Sequence, residues 1–193
     1  MSNGKIFLID EGAETVREMT EKPYESEDIL QRLLAKTPDL LPGEQIDPEA
    51  PRNWLLVKRE LGIPDDNHSG DRWSLDHLFL DQDGIPTFVE CKRSSDSRAR
   101  REVVAQMLDY AANGLKYWTV DNLRQAAAET AAAENKTLNR EVERLIGSGT
   151  EDQIENYWQI VEGNLRNGKV RLIFVADKLP AELKRLVEFL TKR

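Results

Sequence analysis

The stretch "DHLFLDQDGIPTFVECKR", residues 76–93, decides the reading of this chain. Strand-forming residues run on both sides of one turn. Gln82-Asp83-Gly84 suits a three-residue hairpin loop, a type I turn closed by Gly84 in the left-handed conformation. In that register Asp81 faces Ile85, and Asp76 lies directly across from Glu90. Opposed residues share a face, with β-carbons about 4.5–5.5 Å apart. Lys92, two residues beyond Glu90, shares it too. A two-residue Asp83-Gly84 loop would instead send Asp76 to the opposite face. The turn therefore decides whether two carboxylates and an ammonium form one cluster.

Carboxylates this close repel each other, and burying them is costly. A hard divalent cation removes that cost. Mg²⁺ takes about six oxygen ligands, commonly one or two carboxylates completed by water and substrate phosphate. Lys92 could then orient or polarise the attacking water, or offset charge on a phosphate transition state. The plainer alternative is a solvated cross-strand cluster in which Lys92 and Arg93 neutralise Asp76 and Glu90. Against it, Val89 and Cys91 flank Glu90, and Leu75, Leu78, Phe79 and Leu80 make the partner strand apolar on both faces.

Outward from the hairpin, helical and strand signals alternate. Residues 5–9 read as a short strand. A helix follows Ser26, a plausible N-cap, with Ile29, Leu30, Leu33 and Leu34 at helical spacing and Pro38 as its stop. "WLLVKREL", residues 54–61, reads as a strand, "DDNHSGDR" as a polar loop, and "SSDS" as a linker. An amphipathic helix then carries Val103, Val104, Met107, Leu108, Ala111, Ala112 and Leu115. Residues 121–146 read as one further helix, broken by Gly147-Ser148-Gly149, and about 151–165 as another. "KVRLIFVA" has the continuous apolar character of a strand buried on both faces. Pro180 opens a last helix carrying Leu183, Leu186, Val187 and Leu190.

Composition bounds the function. The 193 residues carry a net charge of −8, are 39% hydrophobic, and include one cysteine, Cys91. No apolar run approaches the roughly 18 residues of a membrane span, and "MSNGKIFLIDEG" has too short an apolar core for a signal peptide. A lone cysteine excludes an intrachain disulfide framework and fits a reducing cytoplasm. The acidic balance argues against a broad nucleic-acid coat, so a polyanion must meet a local basic patch. Arg93, Arg98, Arg100 and Arg101 are the densest basic run. They read equally as phosphate contacts beside Lys92 or as a solvated helix start balancing Asp96 and Glu102. No phosphate-cradling glycine motif occurs, which removes nucleotide-driven motor and dehydrogenase readings. His77 should point away from Asp76 and pack, His68 has no metal-ligand partner at useful spacing, and Cys91 lacks a nearby base.

The order Asp76, D-x-D-G turn, Glu90-x-Lys92, with Gln106 and Tyr110 in "QMLDYAA" and Glu27 in "ESEDILQRLL", resembles the PD-(D/E)XK nuclease superfamily. The closing "KVRLIFVADKLPAELKRLVEFL" resembles the last strand and helix of related bacterial proteins. The chain departs in having no Pro before Asp76 and in a helical segment, about 121–167, without a counterpart in the minimal fold. The resemblance implies an α/β restriction-endonuclease-like fold: a mixed sheet flanked by helices, with that segment inserted before the last strand. It implies a nuclease that hydrolyses phosphodiester bonds in nucleic acid, DNA first. Asp76 and Glu90 would hold Mg²⁺, or Mn²⁺, with the Cys91 backbone carbonyl. Lys92 would be catalytic, and Glu27 and Gln106 would support metal or substrate. The residues alone leave alternatives open. Gln106 and Tyr110, one turn apart, also read as a boundary pair. Glu27 also reads as a first-turn acid favoured by the helix dipole, with Glu25 as competitor. A non-catalytic nucleic-acid-binding module and an interaction protein using the Ala-rich helix both remain. A homodimer through Ala126–Ala133 is the expected assembly.

Overall fold

The computed structural model describes residues 6–10, 12, 15–20, 22–65, 68–93, 99–179 and 181–191. Two strands, β1 (Ile6–Asp10) and β2 (Thr15–Met19), form an antiparallel hairpin exposed along its whole length. Helix α1 (Glu27–Lys36) follows. The Ser26 side chain accepts the Ile29 N–H as its cap, and Pro38 begins a separate 3₁₀ turn, Pro38–Leu40. A one-turn helix, α2 (Gly43–Ile46), leads into the sheet strands β3 (Leu55–Asp65), β4 (His68–Leu80) and β5 (Pro86–Lys92). Then come helices α3 (Ala99–Tyr117), α4 (Val120–Ala133), α5 (Leu138–Ile146) and α6 (Glu151–Arg166), strand β6 (Arg171–Ala176) and helix α7 (Ala181–Thr191). The fold is mixed α/β. The sheet order is β3-β4-β5-β6, antiparallel through the meander and parallel between β5 and β6. No described helix is long and apolar enough to cross a membrane.

The turn at residues 82–84 adopts the three-residue form. Gly84 sits at φ +67° and donates its N–H to the Asp81 carbonyl at 2.9 Å. The ladder runs His77↔Val89, Leu78↔Phe88, Phe79↔Thr87, Leu80↔Pro86. Asp81 is fully buried, and its Oδ1 accepts the Asp83 and Ile85 N–H groups at 3.0 and 2.9 Å. Arg171 answers its charge from β6 at 2.8 Å. Helix α6 clamps the turn from outside: Tyr157 donates its hydroxyl to the Asp81 carbonyl at 2.9 Å, and Asn164 donates to the Asp83 and Gly84 carbonyls at 3.0 and 2.8 Å. The register that aligns Asp76 with Glu90 is thus held by the turn's own hydrogen bonds and by two further elements, β6 and α6.

Two apolar layers cover the sheet. Leu30 and Leu34 of α1 meet Leu41, Trp54, Phe79, Val89 and Cys91 on one side. On the other, Leu78, Leu80 and Phe88 meet Met107 of α3, and Leu123, Val142, Trp158 and Val161 of α4–α6. Fully burying one such side chain stabilises by about 1.5–3 kcal/mol, so the helical segment is core and not an appendage.

Several sequence expectations are corrected. Within "DDNHSGDR", Asp65 and residues 68–72 are strand rather than loop, while residues 66 and 67 lie outside the described residues: pairing of β3 with β4 continues through Pro64↔Asp71 and Asp65↔His68, with bulges. A two-stranded ribbon satisfies its backbone without an apolar face, so polarity was no guide. The helix expected over 121–146 is two helices, because Asn135 turns at φ +59°, a conformation Asn tolerates. Strand β2 carried no recognised signal. Strand β6 is half-buried rather than buried on both faces, because it lies at the sheet edge with β5 on one side only. On α3, Leu108 is 48% exposed, and on α7 only Leu183 is buried, while Leu186 and Leu190 lie open. Part of the Ala-rich surface of α4 is occupied within the chain: Ala126, Ala127 and Ala131 are buried, and Thr130 donates to the Val57 carbonyl at 2.7 Å, while Ala132 and Ala133 lie exposed.

Candidate functional site

The β4–β5 ladder ends at His77↔Val89. One step further, Asp76 stands opposite Glu90. There the Asp76 side chain replaces the ladder: its Oδ2 accepts the Cys91 N–H at 2.7 Å. On the other flank, β3 pairs through Arg59↔His77 and Leu61↔Leu75 but skips Glu60, which takes a left-handed φ of +55°. Strand β4 is therefore loosened from both neighbours at Asp76.

Three further elements deliver side chains to this break. Strand β5 brings Lys92, whose Nζ lies 2.9 Å from Glu90 Oε1 and 3.7 Å from Glu27 Oε2. Helix α1 brings Glu27 in its first turn, and Glu27 Oε1 also accepts the Arg93 N–H at 3.2 Å. Helix α3 brings Gln106, which donates Nε2 to Glu90 Oε1 at 3.3 Å and bonds the Tyr110 hydroxyl. The sequence-predicted Glu27, Asp76, Glu90, Lys92, Gln106 and Tyr110 thus converge. Glu25 does not: it is exposed and paired with Lys22 at 3.0 Å. Arg93 is half-buried, with a buried Nε that has no hydrogen-bond partner among the described residues. Arg98 lies outside the described residues; Arg100 and Arg101 belong to α3, but their side chains lie outside the description. His68 opens β4, and its side chain lies outside the description as well. His77 packs on the far face, stacked on Phe79 with Nε2 2.8 Å from the Gln31 carbonyl. Cys91 is buried with its thiol pKa pushed up by burial, as an inert core thiol should be.

Glu90 is 1% exposed, and its Oε2 has no hydrogen-bond partner among the described residues. Burial first, then the neighbouring Asp76 charge, pushes its carboxyl up to about 7, against the pull of Lys92. Burial also raises Asp76, opposed by the Cys91 N–H and by Lys92. Burial pulls the Lys92 ammonium down, but the charge and hydrogen bond of Glu90 outweigh it, so Lys92 stays raised and protonated at neutral pH. Burial raises the Tyr110 phenol.

Among the described residues no group of three or more His, Cys, Asp and Glu side chains is disposed to hold a metal ion. The donor set here is smaller and fits a hard cation: two carboxylates with a backbone carbonyl. The N–H and C=O of one strand residue point to the same side, so the Cys91 carbonyl faces the side from which its N–H reaches Asp76. An orphaned buried carboxylate oxygen beside a second carboxylate is costly unless a cation meets it. Beside the site, sequence reasoning missed the role of Gln31, 9% exposed on the apolar face of α1, whose amide oxygen accepts from Arg59 and whose backbone carbonyl meets His77 Nε2. The available signal was its spacing, one turn after Glu27 and between Leu30 and Leu34, where a polar residue needs a partner. Comparison with protein-family models, with curated proteins and with solved structures gives no match.

Proposed function

We propose that this chain is a divalent-metal-dependent nuclease that hydrolyses phosphodiester bonds in nucleic acid, with DNA as the first substrate. The observation that carries the reading is the buried Oε2 of Glu90, without a partner among the described residues and set beside Asp76 and Lys92. A mixed sheet flanked by helices, with this trio where the hairpin strands part, supports a restriction-endonuclease-like core. Cytoplasmic placement accords with the lone reduced thiol of Cys91.

Asp76 and Glu90 would hold Mg²⁺ or Mn²⁺, with the Cys91 carbonyl as third protein donor. Such an ion lowers the pKa of water and neutralises charge developing on phosphate. Lys92 remains an ammonium, so it serves as a donor to the charged phosphate oxygens rather than as a base. Glu27 and Glu90 hold that ammonium between them. Gln106 orients Glu90, and Tyr110 orients Gln106. Arg93, Arg98, Arg100 and Arg101 would meet the phosphate backbone as it leaves the site.

The test is a titration of Mg²⁺ and Mn²⁺ with wild type and Asp76→Ala over plasmid, single-stranded, flap and RNA substrates. Metal-dependent cleavage by wild type alone is the expected result. Binding without cleavage would support a non-catalytic nucleic-acid module, and neither activity would leave an interaction protein. The reading includes cutting as a homodimer. Ala126, Ala127 and Ala131 are buried within the chain, so on this stretch Ala132 and Ala133 are the alanines left exposed to a partner, and light scattering that shows only monomer at micromolar concentration overturns the pairing.

A further inference from the structure

We propose that the outer edge of β6 is a docking groove for strand β1 of a second copy of this chain, so that two copies pair by exchanging their N-terminal hairpins. The proposal rests on the homodimer read for cleavage and gives it a surface; the metal chemistry does not enter it.

The acceptor is a groove along an open sheet edge. Among the described residues β6 pairs with β5 only. The backbone groups of such an edge are a template for another strand. A cavity of about 630 Å³ runs along Arg171–Ala176. Leu40, Leu41 and Ile46 wall it from the segment before β3, and Leu179 and Val187 from the C-terminal end of the chain. The two walls stand over opposite faces of β6. Leu41 packs with Ile173 and Val175, whereas Val187 shares a second cavity with Leu172 and Phe174. Leu40, Ile46 and Leu179 are 40–52% exposed, so the walls lie open to an occupant.

A strand laid between two apolar walls is buried on both faces, and such strands read as unbroken apolar runs. Strand β1 has that pattern in Ile6-Phe7-Leu8-Ile9, and in the single chain these four are 48–71% exposed. A two-stranded hairpin is marginal by itself and needs an apolar face to pack. Strand β2 has a different character: it sets Glu18 and Arg17 against Phe7 and Leu8. Charges of this kind suit the outer edge of an extended sheet, so β1 goes inside and β2 outside. Net charge favours the same match. Residues 1–21 hold two basic and five acidic side chains, net −3, and residues 177–193 five basic and three acidic, net +2.

The path of the chain permits the exchange. Lys22, Pro23 and Tyr24 lie beside Val175–Lys178 at the end of β6, so the hairpin leaves the core next to the groove without filling it. Seven residues, 20–26, join β2 to α1, and fully extended they span at most about 25 Å. A two-fold axis beside this point brings each hairpin to the other copy's β6, and a closed pair leaves no groove for a third copy.

The test is light scattering of wild type, Leu8→Asp and Ile46→Asp, with amide hydrogen exchange of β6 followed across the dissociation range. Both positions are exposed in the single chain, so both variants should fold. Each should weaken dimerisation at least about tenfold, because a carboxylate is forced into an apolar contact. Mixing the two should restore part of the affinity, since one intact hairpin then meets one intact groove. The outward-facing amides of β6 should exchange more slowly as wild-type concentration rises, and deletion of residues 1–21 should remove that change. Below the dissociation range the deletion should leave the urea midpoint unmoved. A dimer that survives Leu8→Asp with β6 exchange unchanged overturns the proposal and leaves pairing at Ala132 and Ala133 standing. A wild type that stays monomeric overturns both. Slow β6 exchange that is independent of concentration and is lost on deletion would place the hairpin on its own chain, which overturns the exchange as well. None of these readouts requires cleavage, so a failed nuclease assay leaves them intact.

Discussion

At the scale of single residues, Glu90 and His77 carry opposite charge costs, and their signs can be worked through. The Glu90 carboxyl is raised from 4.5 to about 7, so below 4.5 it is neutral in folded and unfolded chains alike and costs nothing. As pH rises through 7 the folded chain must hold a buried carboxylate, and stability is lost. In metal-free protein the stability advantage of Glu90→Gln over wild type should grow from near zero at pH 4.5 to about 2–3 kcal/mol above pH 7, read from urea unfolding. Burial lowers His77 from 6.5 to about 4. Its contribution is present above 6.5 and is lost as pH falls toward 4. His77→Phe should therefore lose less stability than wild type over that window. Glu90→Gln should also abolish cleavage, and loss of folding in both Glu90→Gln and Asp76→Asn would instead mark a structural ion cluster. Saturating Mg²⁺ should raise the wild-type Tm by mass action and leave Asp76→Ala unmoved.

At the scale of elements, the hairpin turn is the part on which the site depends most. A Cβ on Gly84 would meet Val161 Cγ2 at 3.1 Å and Ile160 Cγ2 at 3.2 Å, and its φ of +67° strains any other residue. Gly84→Ala should cost about 1–2 kcal/mol in urea unfolding. Deleting Asp83 should do more: a two-residue loop shifts the register by one and turns Asp76 to the far face, so Mg²⁺ binding should vanish even where circular dichroism still shows a folded sheet. This register was legible from Gln82-Asp83-Gly84 because a turn's chemistry is local. The extension of β3 and β4 past Gly62 was not, since ribbon pairing leaves no hydrophobic pattern. The half-exposure of β6 was not legible either, because "RLIFVA" reads the same in the middle of a sheet as at its edge.

At the scale of the whole molecule, an acidic chain must meet DNA through a local patch. Charges further apart than about 8–10 Å are screened near physiological ionic strength, so a net charge of −8 does not forbid contact. If Arg93, Arg98, Arg100 and Arg101 each meet a phosphate, log affinity against log salt should slope about −3 to −4, measured with Ca²⁺ in place of Mg²⁺ to separate binding from cutting. Removing one arginine should flatten the slope by about one. A flat dependence would point to the interaction-protein reading. Strands β1 and β2 stand exposed, including Ile6, Leu8 and Ile9. Deleting residues 1–21 should therefore leave the urea midpoint of the sheet core within experimental error.

The sequence by itself determined the trio Asp76, Glu90 and Lys92, their common face, and the two helices that carry Glu27 and Gln106. Each follows from short-range periodicity, capping and turn chemistry. Only the tertiary structure decided that one face of the Ala-rich helix is core, that β4 parts from both neighbours at Asp76, and that Glu90 Oε2 is left without a partner among the described residues. It also brought Glu27 to Lys92 and Arg93 while leaving Glu25 outside with Lys22, and joined Gln31 to Arg59 and His77. Those outcomes depend on which residues distant in sequence meet, and burial, which sets the cost of a charge, is a property of that meeting and not of the residue.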